Sequence, residues 1–307
     1  MTNLAPIIVF SYNRPDHLRQ TLDALVKNDL ADNSVLYIYC DGAKANATDE
    51  QIANIQENRR VAHAAQGFKQ VHVIERESNI GLKNNIVGAV TEIVNQYGRV
   101  ITLEDDVITS SGFLNFMNEG LEMYKDDEQV MHISGYMWPH RCKLPETIFY
   151  PVPYPGGGWA TWKRAWQHYT DDTATLYNYW SMRWDEFNKF GGDYLQRQLV
   201  ANYQGTLKTW FVKWYAVMLM RQALTLYPGH SLTNNIGFDE QATNCYTTDK
   251  FDVVPIDSVK VKRQQIRENK RAAREIYAFY QGRWYNKRRR TQLINKILLF
   301  LHLPTIK

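Results

Sequence analysis

Short apolar runs alternate with helix-spaced segments along the first hundred residues. The runs lie at residues 7–10, 35–39, 71–74 and 99–103. The segments between them predict helices at residues 16–27, 49–65 and 83–97. The first has apolar side chains on one face, and the second is polar. Strands that alternate with helices at this spacing pair in parallel through crossovers. The order therefore predicts an α/β fold built on a parallel sheet.

The pattern loosens after about residue 135. Segments rich in Pro, Gly and Trp occupy residues 151–158 and 159–162, and an amphipathic region continues to Asn202. A further strand is predicted at residues 224–227. No repeat or low-complexity linker interrupts the chain, so we predict one globular unit over residues 1–255. Residues 256–307 form a C-terminal appendage.

Polar side chains follow each of the first four predicted strands. They are Ser11, Asn13 and Arg14 after the first, Asp41 after the second, Asn79, Gly81 and Lys83 after the third, and Glu104, Asp105 and Asp106 after the fourth. In open parallel sheets, ligands bind outside the carboxyl ends of the strands. The sequence therefore predicts a binding site at this edge.

The acidic turn at residues 104–106 is the most informative of these clusters. Three neighbouring carboxylates repel one another, and a bound cation removes that cost. Mg²⁺ or Mn²⁺ takes one or two carboxylates and completes its shell with phosphates and water. Such an ion also stabilises charge on a departing diphosphate. A solvated surface turn is the alternative, and the position directly after a strand favours the metal.

Two further strand-end residues suit a nucleotide. Arg14 opens the first predicted helix, where a cation and free backbone N–H groups meet an anionic phosphate. Asp41 can accept a hydrogen bond from a base N–H or a ribose hydroxyl, or it can serve only as the turn residue before Gly42.

Composition adds an aromatic signal. Nine Trp and nineteen Tyr contribute to an aromatic fraction of 13 %. Sugar-binding clefts use such rings, because the C–H faces of a pyranose pack on them. A Trp-rich core with half-exposed Tyr is the alternative.

The net charge of +4 conceals an uneven distribution. Fourteen Lys and Arg and two Glu give residues 260–307 a charge of +12, so residues 1–259 carry −8. The apolar run at residues 297–301 lies within this basic tail. The combination predicts contact with anionic lipid, and a helix packed back on the body is the alternative. Nucleic acid is not expected as a partner, because the body is acidic and no binding motif is present.

The cysteine pattern and the N-terminus indicate a cytoplasmic location. Cys40, Cys142 and Cys245 are odd in number and widely spaced, which predicts neither a disulfide framework nor a zinc site. The N-terminus lacks the features of a signal peptide, and no apolar run reaches the length of a membrane span. We expect a cytoplasmic protein, with peripheral contact at the inner face of the plasma membrane through the tail.

The motifs together resemble those of a known enzyme family. They are residues 9–15, with Ser11-Tyr12-Asn13-Arg14-Pro15, residues 39–42, with Asp41-Gly42, residues 79–82, with Asn79-Ile80-Gly81, residues 103–106, with Glu104-Asp105-Asp106, and residues 157–162. In order and spacing the chain is similar, over about residues 5–245, to bacterial GT-A glycosyltransferases. These belong to the broad group around glycosyltransferase family 2 and are similar in pattern to the N-acetylglucosaminyltransferase I family.

The resemblance implies both a fold and an activity. The fold is a GT-A, Rossmann-like sheet with a nucleotide-sugar half at about residues 1–135, an acceptor half at about 136–255 and a basic helical tail over 256–307. The activity is inverting transfer of a hexose or N-acetylhexosamine. The donor is a nucleotide-diphosphate sugar, with UDP favoured, and the acceptor is a hydroxyl of a glycan or lipid-linked glycan. Such bacterial enzymes act in capsule or O-antigen synthesis.

Specific roles follow from the same resemblance. Asp106 matches the metal-ligating acid for Mn²⁺ or Mg²⁺, Arg14 matches a phosphate-side arginine, and Asp41 matches the acid that reads uracil. Trp159 lies in the loop that carries acceptor contacts, and we assign Gly158 and Trp138 to the acceptor side with it.

Two departures from the family pattern concern the catalytic base. Phe211 stands where many relatives place an Asp after a Trp, and Asn244 stands where they place a His. A transfer still needs a carboxylate near the acceptor hydroxyl. The candidates, in order of preference, are Asp239, Glu240, Asp193 and Asp185.

Two other classes stay open. A carbohydrate-binding protein that kept the fold without catalysis would explain both departures. A sugar nucleotidyltransferase would share the nucleotide-binding half, but the segment at residues 11–15 lacks the glycines of its phosphate loop.

Overall fold

A computed structural model describes residues 4–190, 192–239 and 247–282. The strands, in chain order, are β1 (Ile7–Ser11), β2 (Val35–Cys40), β3 (Gln70–Glu75), β4 (Arg99–Glu104), β5 (Val107–Thr109), β6 (Val130–Ser134), β7 (Thr147–Tyr150), β8 (Trp159–Trp162), β9 (Leu224–Pro228) and β10 (Thr233–Asn235). The helices are α1 (Pro15–Leu25), α2 (Asp49–His63), α3 (Leu82–Tyr97), α4 (Phe113–Met123), α5 (Lys163–Trp166), α6 (Thr173–Trp180), α7 (Trp184–Asn188), α8 (Asp193–Tyr203), α9 (Phe211–Met220) and α10 (Lys270–Tyr280).

Eight strands form one central sheet in the order β3-β2-β1-β4-β8-β6-β9-β7. The pairs β3–β2, β2–β1, β1–β4 and β6–β9 are parallel, whereas β8 runs antiparallel to both its neighbours and β7 runs antiparallel to β9. Helices flank this mostly parallel sheet. The predicted α/β fold class, of the Rossmann-like GT-A type, is confirmed.

The first four strands occur where the apolar runs predict them. Because parallel strands are covered on both faces, they read as continuous apolar runs rather than alternating ones. All five residues of β1 are buried. The strands end at Ser11, Cys40, Glu75 and Glu104, so the polar clusters that follow them share one edge of the sheet.

Strand β8 differs from the sequence prediction. Residues 159–162 were expected in an irregular Pro-, Gly- and Trp-rich segment, but they form a buried central strand between β4 and β6. Gly158, with a φ of 68°, turns the chain into this strand. The sequence of these four residues gives little indication of a strand. Their pairing with β4 and β6 therefore determines their conformation.

The tryptophans belong mainly to the core. Seven of them are buried, namely Trp138, Trp159, Trp162, Trp166, Trp180, Trp210 and Trp214. Trp159 stacks on Trp210 with ring centroids 5.2 Å apart and on His132 at 5.0 Å. The structure therefore favours the core alternative for these rings over a sugar-binding surface.

The described part of the C-terminal region packs against the body. Helix α10 buries Ala272, Ile276 and Phe279, and the backbone N–H of Asn269, at its start, donates to the carbonyl of Phe149 at 2.9 Å. This matches the alternative in which the tail folds back. The basic and apolar positions at 283–307 lie outside the described residues.

Residues 4–190, 192–239 and 247–282 contain no helix that is both long and apolar enough to cross a membrane.

An aromatic chain links α10 to the loop after β10. The ring of Phe279 lies 5.3 Å from that of Phe251, which stacks on Phe238 at 4.9 Å. The hydroxyl of Tyr136 donates to the carbonyl of Phe251 at 2.8 Å. Helix α10 thereby supports the backbone one residue before Asp239.

The division into nucleotide-sugar and acceptor halves, with a separate tail, stays a prediction.

Cys40 and Cys142 are both free thiols, and Cys245 lies outside the described residues.

Candidate functional site

The acidic turn between β4 and β5 is held by the start of α1. The guanidinium of Arg14, at the N-cap of α1, donates to the carboxylate of Asp105 and, at 2.8 Å, to that of Asp106. The hydroxyl of Thr21, about two helical turns further, donates to the carbonyl of Asp105 at 2.7 Å. The first and fourth strand ends, separate in sequence, therefore meet as predicted.

A second segment closes on the same turn from the C-terminal side. Strand β10 pairs antiparallel with β5, which places Asn235 opposite Val107. The amide of Asn235 donates to Oδ1 of Asp106 at 3.0 Å and to the carbonyl of Gly156 at 2.8 Å. A Cβ on Gly237 would lie 2.0 Å from Oδ2 of Asp106, so only glycine fits there. Sequence reasoning singled out Asp106 but missed Asn235 as a site residue.

Asp41 organises the loop before α3. Its Oδ1 accepts from the backbone N–H groups of Gly42 at 2.9 Å and Ile80 at 3.0 Å, and its Oδ2 accepts from the amide of Asn79 at 3.0 Å and the N–H of Gly81 at 3.1 Å. A carboxylate offers about four lone-pair positions. These four donors occupy it, so the contacts assign Asp41 a supporting role. Direct recognition of uracil by Asp41 stays a prediction.

The two buried aspartates thus share one motif. Asn79-Ile80-Gly81 surrounds Asp41 and Asn235-Ile236-Gly237 surrounds Asp106. In each case the Asn amide donates to the carboxylate. Gly81 adds a backbone N–H donor to Asp41, whereas Gly237 lies where a Cβ would approach Oδ2 of Asp106 to 2.0 Å. The repeated tripeptide is the sequence signal that could have identified Asn235.

The carboxyl groups of the acidic turn resist ionisation. Burial, followed by repulsion from Asp106 and Asp105, raises the pKa of Glu104 to about 8. Burial also raises the pKa of Asp105 to about 7, against the opposing effect of the Arg14 cation. Burial disfavours the charge of Arg14, but its two carboxylate partners raise the pKa of the guanidinium overall. One cation faces three acids, so the turn favours additional positive charge.

The ligands at the acidic turn fit a metal ion that is bound jointly by protein and diphosphate, rather than one bound by protein side chains alone. In the part of the chain that the structure describes, His, Cys, Asp and Glu form no group of three or more arranged to hold a metal ion. Carboxylate oxygens are nevertheless the ligands that Mg²⁺ and Mn²⁺ prefer, and these ions commonly keep waters and phosphate oxygens. The residues therefore fit an ion that takes the carboxylate of Asp106 and completes its shell with a diphosphate.

The remaining strand-end residues are in part engaged by other protein groups. The hydroxyl of Ser11 donates to the sulfur of Cys40 at 3.4 Å and accepts from Asn58 at 2.8 Å. Lys83 forms an ion pair with Asp171 at 2.8 Å. Gly81 is the N-cap of α3 with a φ of 81°, and Asn13 lies half-buried between β1 and α1. Their contacts with a nucleotide stay predictions.

The predicted acceptor residues lie beneath the surface. Trp138 is 1 % exposed and Trp159 is 2 % exposed, and a Cβ on Gly158 would approach the Phe113 ring to 2.9 Å. The indole of Trp138 contacts the rings of Tyr136 and Tyr227 instead of solvent. Both tryptophan rings pack in the core of this structure, and the acceptor role of Trp138, Gly158 and Trp159 stays a prediction.

Among the candidates for the base, Asp239 has the most informative surroundings. Its carboxylate lies 3.0 Å from Nε2 of His17, a residue that sequence reasoning did not single out. The spacing of three between Arg14 and His17 is the signal that could have revealed it.

The other candidates lack such surroundings. Asp193 is exposed at the start of α8 and pairs with Arg197 on the same helix. Asp185 is exposed on α7. Phe211, which stands where many relatives place an Asp, is the first residue of α9. That helix therefore supplies no acid at this position. Glu240 and Asn244 lie outside the described residues.

Known structures with low similarity to this chain include two of S. aureus TarS. No family model matches the chain. A crystal structure of S. aureus TarS matches with a TM-score of 0.30 and 15 % identity, over 47 % of this chain and 24 % of that one. A structure of S. aureus TarS 1–349 matches with a TM-score of 0.40 and 11 % identity, over 76 % of this chain and 60 % of that one. The matched part thus spans less than two thirds of either TarS chain.

Proposed function

We propose that this chain is a glycosyltransferase that moves a sugar from a nucleotide-diphosphate donor to a hydroxyl of a glycan acceptor. The observation that carries the proposal is the acidic turn at residues 104–106, held between Arg14 and Asn235 at the carboxyl edge of the parallel strands. Nucleotides bind at this edge of open α/β sheets.

The donor half of the site supplies a fixed loop and a cation. Four hydrogen bonds to Asp41 hold the loop that leads into α3. Backbone N–H groups at the starts of α1 and α3, together with the Arg14 guanidinium, favour an anionic diphosphate there. We assign UDP as the nucleotide on the resemblance, with a hexose or N-acetylhexosamine as the sugar.

We further propose that Asp106 holds Mn²⁺ or Mg²⁺ together with the donor diphosphate. When bound, such an ion offsets the negative charge that grows on the departing diphosphate. Arg14 and Asn235 keep the Asp106 carboxylate oriented from opposite sides.

The transfer itself is a displacement at the anomeric carbon. The oxygen of the acceptor hydroxyl bonds to that carbon as its bond to the diphosphate oxygen breaks, and the hydroxyl proton passes to the carboxylate of Asp239. A single displacement inverts the configuration. Asp239 suits the base because it follows Gly237, which lies against Asp106, and because 43 % of its side chain is exposed.

The acceptor is proposed to be a capsule- or O-antigen-type glycan carried on lipid. A chain working at the cytoplasmic face of the membrane would gain from the basic residues at 283–307, since each cation near anionic lipid contributes about 1 kcal/mol.

Nucleotide binding tests the proposal directly. A thermal-shift panel of nucleoside diphosphates, with and without Mn²⁺, should show stabilisation by UDP that depends on the metal. At a hundredfold excess over Kd the stabilisation is about 2.7 kcal/mol. In calorimetry, Asp106→Ala should abolish Mn²⁺-dependent UDP binding, while Asp126→Ala, an exposed acid outside the turn, should bind as the unaltered chain does.

Other outcomes separate the competing classes. UDP affinity that is equal in Asp106→Ala and in the unaltered chain, with or without EDTA, contradicts the metal assignment. UDP-sugar that binds but is never transferred to any acceptor supports a carbohydrate-binding protein. Turnover of a nucleoside triphosphate with a sugar phosphate supports a nucleotidyltransferase.

A further inference from the structure

The start of α1 contacts both loops of the site. Arg14 and His17 are three residues apart, so they lie on neighbouring positions of one helix face. Arg14 donates to Asp106 at 2.8 Å, and Nε2 of His17 lies 3.0 Å from Oδ2 of Asp239. The helix α1 (Pro15–Leu25) therefore connects the acidic turn to the segment that carries the proposed base.

His17 is buried and has an asymmetric environment. The residue is 5 % exposed, and among the described residues its Nδ1 is a buried atom without a hydrogen-bond partner. Its Nε2 meets the partly exposed carboxylate of Asp239. Because an unpaired buried nitrogen is unfavourable in every protonation state, packing alone would favour an apolar residue here. The contact with Asp239 is the interaction that only an N–H donor at this position provides.

The segment around Asp239 is fixed at two other points. Asn235 donates to Asp106 at 3.0 Å, and Gly237 allows the backbone to lie against the same carboxylate. Phe238 stacks on Phe251 at 4.9 Å. These contacts fix the backbone on either side of Gly237, and the carboxylate of Asp239 lies against Nε2 of His17.

We propose that His17 is a positioning residue that orients the carboxylate of Asp239 for proton acceptance. The tautomer with its proton on Nε2 donates to Oδ2 and fixes the plane of the carboxylate. The acceptor hydroxyl loses its proton to Asp239, which later releases it to water, while His17 holds the carboxylate in place. The inference rests on the proposed function, in which Asp239 is the base. Nucleophile–base pairs oriented by a third group follow the same logic.

Two substitutions with opposite expectations test the role. His17→Phe keeps the buried ring but removes the donor, and His17→Gln keeps an amide N–H at a similar reach. We expect His17→Phe to lower kcat about 10²-fold, the size of effect seen when a reacting group is slightly misplaced. The UDP affinity and the KM for the donor should stay unchanged. His17→Gln should restore kcat to within about tenfold of the unaltered chain.

A matched control and a double variant make the test specific. His63 pairs with Glu75 at 2.7 Å on the exposed side of α2, so His63→Phe removes a comparable pair outside the site and should leave kcat unchanged. In an Asp239→Asn background, His17→Phe should add no further loss, because both changes remove one function. Equal losses in His17→Phe and His17→Gln, or additive losses in the double variant, would overturn the proposal.

A readout that needs no turnover separates this inference from the proposed function. In ¹⁵N spectra of the histidine rings of the full chain, the His17 signals should report a proton on Nε2 and should shift in Asp239→Asn. Transfer activity in the unaltered chain with unshifted His17 signals in Asp239→Asn overturns the positioning role alone. Absence of transfer with every UDP-sugar overturns the proposed function, and a shifted signal then still supports the His17–Asp239 contact.

Discussion

Asp41 and Asp106 are both buried carboxylates, but the positions of their hydrogen-bond donors give them different roles. Asp41 accepts four hydrogen bonds from one short loop and its own neighbour. Asp106 instead accepts from Arg14 and Asn235, which come from distant parts of the chain. The first carboxylate stabilises a loop, and the second joins three segments at the proposed metal position.

The loop role of Asp41 predicts a large effect from a small change. In Asp41→Asn, an NH₂ group replaces an oxygen and faces two of the four donors. We expect the free energy of unfolding to fall by about 1–3 kcal/mol, the cost of leaving buried donors unsatisfied. Urea denaturation measures it, with Asp23→Asn on the exposed face of α1 as the control. An unchanged midpoint in Asp41→Asn would contradict the assignment.

Gly237 gives a second prediction at this scale. An added Cβ would lie 2.0 Å from Oδ2 of Asp106, so Gly237→Ala forces the backbone away from the acidic turn. We expect a loss of about 1–3 kcal/mol of stability, as for other overpacked sites, and weaker UDP binding.

Gly88 is the matched control. A Cβ there would meet nothing within 4 Å, and the position lies inside α3. Gly88→Ala should therefore stabilise the chain by about 0.5–1 kcal/mol. Destabilisation by both substitutions, measured in the same denaturant series, would speak against the contact at Gly237.

Individual site residues could be predicted only where the signal is local. Arg14 and Asp106 stand directly after strands, and the spacing of the apolar runs identifies those strands. Asn235 and His17 do not follow strands of the parallel sheet, and the partners that give them a role lie 129 and more than 200 residues away in sequence. Their roles follow from the pairing of β5 with β10 and from the position of α1, which only the folded chain defines.

At the scale of elements, the parallel strands were predictable and β8 was not. Strands β1, β2 and β4 are buried on both faces and are flanked by turns, so their sequences are distinctive. Strand β8 has four residues, two of them Trp, and no alternation. Its conformation depends on hydrogen bonds to β4 and β6, which lie elsewhere in the sequence.

The contact between β6 and β8 has a consequence for acid stability. Burial lowers the pKa of His132 to about 3, well below its ordinary value of 6.5. The folded chain keeps this imidazole neutral, whereas the unfolded chain takes up a proton below pH 6.5. Folding stability is therefore lost as the pH falls from 6.5 toward 3, by up to about 1.4 kcal/mol per pH unit from this group.

The variant His132→Phe should remove that part of the acid sensitivity. Between pH 6.5 and about pH 4.5, its free energy of unfolding should fall by about 2–3 kcal/mol less than that of the unaltered chain. The comparison of slopes is independent of any constant packing cost. The control Gln56→Ala, on the exposed face of α2, changes no titrating group and should keep the original slope. Equal slopes for His132→Phe and the unaltered chain would disprove the buried neutral state.

At the scale of the whole molecule, the basic C-terminal region divides into two parts with different expected roles. Helix α10 buries Ala272, Ile276 and Phe279 against the body. Residues 283–307, outside the described residues, add seven Lys and Arg and no acid. We therefore expect the first part to contribute to folding and the second to membrane contact.

Two truncations distinguish these roles. A chain ending at Gly282 should stay folded and transfer sugar to a soluble acceptor, yet lose sedimentation with anionic liposomes. A chain ending at Arg267 should lose several kcal/mol of stability, because about three buried side chains of α10 are removed. The membrane contact would be contradicted if the full chain did not bind liposomes and if the chain ending at Gly282 had a lower melting temperature or an altered mass in solution.

Helix α10 supports the segment that carries Asp239. It therefore also affects when the chain can become active during its synthesis. Ribosomes deliver the N-terminal part of a chain first, and early segments fold before later ones appear. Arg14 and the acidic turn emerge long before Asn235, and the Phe251–Phe279 contact forms last. Nascent chains should therefore carry an acidic turn paired by Arg14 alone. Sugar transfer should appear only after α10 has left the ribosome, because α10 supports the segment that carries the proposed base.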